Sequence, residues 1–233
     1  MTIADIQAEI RSLCDADSTS LTDAVLLRRI NNAYEEVIGE VIQADGTWQF
    51  DDTNYSTHPI GTTTLVSGQR DYSFDITMLN IERVEVKDNS GNFYLLKPLD
   101  KSEIDIAITE FYETSGRPEY YDKNGSSINL YPAPDAGISV TLAAGLKVYF
   151  QRTADVFTSA QVTTGTKVPG FASPYHQILC YMAALPYCMT YKKDRVALYE
   201  RKVAEIRKAM MGHYSRREKD IRKVMTMEEI IYE

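Results

Sequence analysis

The chain has 233 residues, 44% of them hydrophobic and 25% charged, a balance able to bury a core in one large domain or two small ones. Its formal net charge is −8, it has three cysteines, and its first residues, MTIADIQAEI, lack the basic-then-apolar pattern of a secretory signal. No stretch approaches the roughly 20 apolar residues of a membrane span. The sequence therefore predicts a protein made and kept in a cytoplasm, without membrane contact or a disulfide framework.

In chain order, Ile3, Ile6, Ile10 and Leu13 recur at helical spacing and predict a first helix, ended by the polar run Asp15–Ser20. Ser20, with Asp23 three residues on, reads as a capping box that opens a second helix. Leu27, Ile30, Tyr34, Val37 and Val41 form its apolar stripe, and Arg28, Arg29, Asn32, Glu35 and Glu36 its polar face.

After Gly46 the composition shifts toward Tyr, Thr, Val and Ile, and strand signals run from Trp48 to about Arg152. Ile81, Val84 and Val86 alternate as on a half-buried strand. Asp88–Gly91 reads as a turn and Asn92–Leu96 as the partner strand. Residues 100–112 read as a helical interruption, with Ile104, Ile108 and Phe111 on one side. Asn124-Gly125 is the strongest hairpin signal, with Arg117–Asp122 before it and Ile128 and Leu130 after it. Pro132–Asp135 reads as a turn, and Leu146, Val148 and Phe150 as a last strand.

Helices return at Ser173-Pro174, which suits an N-cap and first helical position. Ile178–Cys188 is apolar almost all round, as in the centre of a bundle, with Pro186 expected to kink or end the helix. Val196, Tyr199, Val203, Ile206 and Met210 then mark a final amphipathic helix. The predicted fold is α+β: a helical bundle (1–46 and 173–212), an inserted antiparallel, sandwich-like β-domain (47–172) and an extended C-terminal tail (213–233).

Charge is unevenly spread. Residues 191–225 carry 12 Lys/Arg against 5 Asp/Glu, whereas 226–233 add three Glu. The other 190 residues hold 13 basic and 25 acidic side chains. An acidic body with a basic C-terminal segment predicts complementary contacts between copies or with an acidic partner, rather than a nucleic-acid reader with a dominant basic face.

Chemistry-bearing motifs do not emerge. There is no Walker A sequence, no GxGxxG after a strand and no GxSxG elbow. His58, His176 and His213 fall on different predicted elements, and His176 reads as a buried, satisfied polar group. Glu35 with Glu36, and Glu228 with Glu229, are adjacent and diverge on a helix. Cys14, Cys180 and Cys188 read as small buried thiols, and His176 with Cys180 supplies too few donors for zinc. No enzymatic activity, metal or cofactor is expected.

Four stretches in order carry a resemblance. They are Leu27-Arg-Arg-Ile-Asn-Asn-Ala-Tyr34; Gly116-Arg-Pro-Glu-Tyr-Tyr121 with its Asn-Gly, Ile128-Asn-Leu-Tyr-Pro132 and Pro134-Asp135; Gly145-Leu-Lys-Val-Tyr-Phe-Gln-Arg152; and Val168-Pro-Gly-Phe171 before Tyr175-His176. None is specific alone, but their order and spacing, over residues 21–212, resemble bacteriophage head-to-tail connector adaptors, including the gatekeeper-type proteins beneath the portals of short-tailed phages. The resemblance implies a structural virion protein of the neck, between capsid and tail, made in the host cytoplasm. It implies a ring, commonly of twelve identical subunits, that extends the portal's DNA channel and receives a downstream tail or nozzle protein.

The resemblance also implies a C-terminal extension that clamps the portal protein. On that reading Arg216, Arg217, Lys219, Arg222 and Lys223 steer the extension, and Ile230, Ile231 and Tyr232 anchor it in a portal groove. Arg28, Arg29, Glu35 and Glu36 are the expected contacts between subunits. DNA is expected to pass without specific binding, because a net-acidic body repels phosphate. The competing expectations are a carbohydrate-binding tail or surface module, with Tyr120, Tyr121 and Tyr131 as a stacking platform, and a tail-assembly chaperone outside the virion.

Overall fold

In the structure, a computed structural model that describes residues 1–45, 57–75, 77–100 and 115–216, helix-period and strand-period segments give an α+β fold. The chain divides into a helical unit, Met1–Thr47 with Val156–Glu233, and a β unit, Trp48–Asp155, inserted between the two helical parts. The sequence placed residues 156–172 with the strands, but they belong to the helical unit. The helical interruption expected at 100–112 lies, apart from Asp100, outside the described residues.

Helix α1 (Ile3–Cys14) opens on a reciprocal cap: the Asp5 amide donates to the Thr2 hydroxyl at 3.2 Å, and the Thr2 amide donates to the Asp5 carboxylate at 2.8 Å. Ile3, Ile6, Ile10 and Cys14 form its buried stripe; Cys14 takes the place expected for Leu13. Helix α2 (Asp23–Asp45) buries Leu26, Ile30, Ala33, Tyr34, Val37, Ile38 and Val41, so Leu26 rather than Leu27 begins its stripe. Ser20 does not cap α2. Its amide and hydroxyl donate to the Asp17 carboxylate at 2.7 and 2.8 Å, closing a local turn, and the Thr22 carbonyl accepts the first helical bond from Leu26.

A short helix, α3 (Ser159–Thr164), precedes a 3₁₀ turn at Ser173–Tyr175, where an α-helical start was expected. Helix α4 (Gln177–Tyr191) runs on through Pro186 and packs against α1, α2 and the last helix, α5 (Lys193–Tyr214). It buries Ile178, Leu179, Cys180, Ala183, Ala184, Tyr187 and Cys188, the all-round apolarity of a central helix. On α5 the buried residues are Tyr199, Val203, Met210 and Tyr214.

The β unit holds two four-stranded sheets. Strands β1 (Ile60–Thr63), β10 (Leu146–Arg152), β3 (Met78–Lys87) and β4 (Phe93–Leu95) form the first, in that order. Strands β2 (Asp71–Ser73), β8 (Ser127–Tyr131), β7 (Tyr120–Asn124) and β5 (Lys97–Pro98) form the second. Neighbours are antiparallel except β5 and β7. Val84, Val86, Leu146 and Val148 from the first sheet meet Tyr72, Tyr121, Ile128 and Leu130 from the second in one core. Residues 93–98 serve both sheets: they leave the first at Leu95, bury Leu96, and enter the second at Lys97.

Two turns fall elsewhere than predicted. Asn124 still pairs with Ser127, so the hairpin loop is Gly125-Ser126 and only Gly125 has positive φ (59°), as a II′ turn requires. Pro132–Asp135 is not a turn: β9 (Ala133–Pro134) pairs in parallel with β6 (Ser115–Gly116). The chain reverses one step later, around the Asp135 carboxylate.

Candidate functional site

The four α2 residues proposed as contacts separate into two stripes, because positions seven apart share a helix face and adjacent ones do not. Arg28 and Glu35 are exposed. Glu36 is engaged within the chain: Arg207 of α5 binds it at 2.8 Å and Glu40 at 2.9 Å. Arg29 is half-buried and close enough to Cys14 to act on its thiol electrostatically. One polar face thus serves partly to fasten α2 to α5.

Of the residues assigned to portal contact, Arg216 is exposed just beyond α5; Arg217, Lys219, Arg222, Lys223, Ile230, Ile231 and Tyr232 lie outside the described residues. The expected tail boundary at 213 is too early. Tyr214 is fully buried, and its hydroxyl accepts from the Ala172 amide at 2.9 Å. Its spacing, four residues after Met210, was the available signal. Beside it, Tyr175, Glu205, Lys208, Gly212, His213 and Arg216 line a surface groove of about 700 Å³.

The three histidines lie apart, and only His176 is buried. His176 is 3% exposed; Nε2 lies 2.8 Å from the Phe171 carbonyl, an acceptor, so Nε2 carries the proton and Nδ1 accepts from the Met1 amine at 3.0 Å. Burial holds its pKa below the ordinary value, which keeps the ring neutral. His213 packs against the rings of Tyr175 and Tyr214, and His58 belongs to the β unit. The three thiols are free and buried. Burial, reinforced by neighbouring Cys188, pushes Cys14 up to about 12, and burial pushes Cys180 up to about 12.

In the β unit Tyr121 and Tyr131 are buried, while Tyr120 is half-buried and pairs across the hairpin with Tyr131. These three rings therefore form no exposed platform. Glu85, only 6% exposed, is held by Arg83 at 2.6 Å and Lys147 at 3.6 Å, and accepts from the Tyr149 hydroxyl at 3.4 Å. Sequence alone does not reveal this cluster, because its cross-strand partners are far apart in the chain. Among the described residues no three His, Cys, Asp or Glu side chains group to hold a metal ion, and no helix is long and apolar enough to cross a membrane.

A helical bundle with an inserted two-sheet β unit is the frame in which these side chains sit. The chain belongs to the SU10 adaptor protein family, whose model matches residues 1–229. It is thus a structural phage adaptor protein, a component of the virion that contacts other head and tail proteins. The match extends beyond residues 21–212, the span of the resemblance, at both ends. No curated protein matches the chain.

Proposed function

We propose that the chain is one subunit of a ring at the neck of the particle, beneath the portal, which prolongs the DNA channel and offers a seat to the next tail or nozzle protein. The match to the SU10 adaptor protein family over residues 1–229 carries this reading. A ring of twelve suits it, as does the split architecture, in which the β unit is a single insertion between the two parts of the helical unit. The net charge of −8 favours a channel that DNA slides past without adhering.

The residues after Arg216 are the portal-binding segment on this reading. Ile230, Ile231 and Tyr232 are three adjacent large apolar side chains set among acidic residues, a poor composition for a purely solvated end. Lys219, Arg222 and Lys223 give long-range steering toward an acidic groove. The test is capture of purified portal by the full chain and by a chain ending at Arg216, with microscopy of the particle neck. Loss of capture with an unchanged melting temperature, and a ring at the neck, are the expected results. Equal capture by the shortened chain removes the clamp, and particles whose neck lacks the chain remove the ring.

A further inference from the structure

The loop after β9 presents an isoleucine to solvent. Ile138 is 76% exposed, the most exposed large hydrophobic residue among those described. A mobile loop would spread such a side chain over many positions, but this one is fixed. The Asp135 carboxylate accepts from the amides of Gly137 at 3.2 Å, Ile138 at 2.9 Å and Ser139 at 3.0 Å, and from the Ser139 hydroxyl. Gly137 supplies the positive φ of 86° that the reversal needs. The Asn89 side-chain amide then donates to the Ile138 carbonyl at 3.3 Å, and the Thr141 hydroxyl to the Asp88 carbonyl at 2.6 Å, which fastens the loop to the β3–β4 turn. An apolar knob whose ordering is already complete in the free chain loses little entropy on burial.

The same unit contains a slot large enough for such a side chain. Between β1 and β2 a slot of about 170 Å³ opens toward the core, floored by apolar side chains such as Phe74, Met78, Ile128 and Leu146, with Thr62 of β1 and Asp75 after β2 also on its lining. A space of about 150 Å³ is enough for a benzene-sized solute, and the branched four-carbon side chain of isoleucine is smaller. The slot lies at the β1 margin of the first sheet, whereas the knob leans on the β3–β4 turn at the other margin. Knob and slot are therefore different patches on one chain, the arrangement that joins identical copies head to tail into a closed ring or an open filament.

We propose that Ile138 of one copy inserts into the β1–β2 slot of its neighbour and forms the apolar centre of the contact between subunits. This deepens the ring reading above and rests on it. The contact is heterologous, so each copy gives one knob and receives another.

The test uses purified particles assembled with the full chain. A chain carrying both I138C and T62C, the second at the slot, is treated with a short bis-maleimide and should yield a ladder of covalent multimers. A mixture of the two single variants should stop at dimers. The native thiols are buried and contribute no background. I138D removes no buried contact from the isolated chain, so its melting temperature should be unchanged. The contact between copies should weaken roughly 100-fold, and incorporation into particles should fall accordingly. A visible ring with no ladder and full incorporation of I138D overturns the contact and leaves the ring reading standing. Particles in which the unmodified chain forms no ring overturn both.

Discussion

Asn31 and Phe157 are joined by two reciprocal hydrogen bonds: the Asn31 side-chain amide donates to the Phe157 carbonyl at 2.8 Å, and the Phe157 amide donates to the Asn31 side-chain oxygen at 3.0 Å. One side chain on α2 thus completes both backbone groups of a residue where the chain re-enters the helical unit. Substituting Asn31 by Leu should cost about 2–4 kcal/mol, since two half-buried backbone groups lose their partners. Asn31→Asp should cost a similar amount, because a carboxylate oxygen then faces the Phe157 carbonyl. Urea denaturation with an unchanged m-value checks both, and a loss below 0.5 kcal/mol for either would contradict the account.

Tyr214 fixes the end of the folded body. Its ring is fully buried and its hydroxyl closes on Ala172. Tyr214→Ala should destabilise by about 3–5 kcal/mol and Tyr214→Phe by about 1 kcal/mol. A chain ending at Arg216 should melt as the full chain does, while one ending at Gly212 should melt well below it. Calorimetry of the two truncations separates the body from the extension.

His176 makes stability depend on pH. Burial holds its native pKa below 6.5, so the unfolded chain takes up a proton that the native site refuses. Its contribution is complete above pH 6.5 and is lost as the pH falls from there toward the native pKa. In His176→Gln that slope should flatten, whatever the absolute cost of the substitution. Unfolding free energies between pH 7.5 and 5 measure it.

The thiols should be silent in the native chain. With Cys14 and Cys180 pushed up to about 12 and all three side chains buried, thiolate is scarce and access poor. Maleimide at pH 7.5 should label the native protein slowly and all three cysteines promptly in denaturant. Rapid labelling of any one thiol without denaturant would show local opening of α1 or α4.

Periodicity made the long helices and the core strands legible: Ile3, Ile6 and Ile10 on α1, and Leu146, Val148 and Phe150 on β10, are buried as their spacing predicts. The misses occur where a side chain bonds to backbone or where spacing is too short to show. Ser20 turned to Asp17 rather than to the helix, a local competition that residue type alone does not decide. Helix α3 has six residues, too few for an apolar stripe. Asn-Gly located the hairpin, but cross-strand register moved its turn by one residue. The engagement of Glu36 by Arg207 joins positions 171 apart, and Ile138 reads in sequence as an ordinary loop residue, since its exposure depends on the path of the folded loop.

The strand shared by the two sheets has a mechanical meaning. Because Phe93–Leu95 pairs in one sheet and Lys97–Pro98 in the other, with a single buried residue between them, covalent backbone joins the two layers at that margin. Side-chain packing alone lets stacked sheets shear by many small repackings, each of low cost. Here any slip must strip ladder hydrogen bonds from β3 or β7 together, so the load concentrates in a few cooperative bonds. Under load such a unit should deform little and then yield abruptly, like a riveted joint.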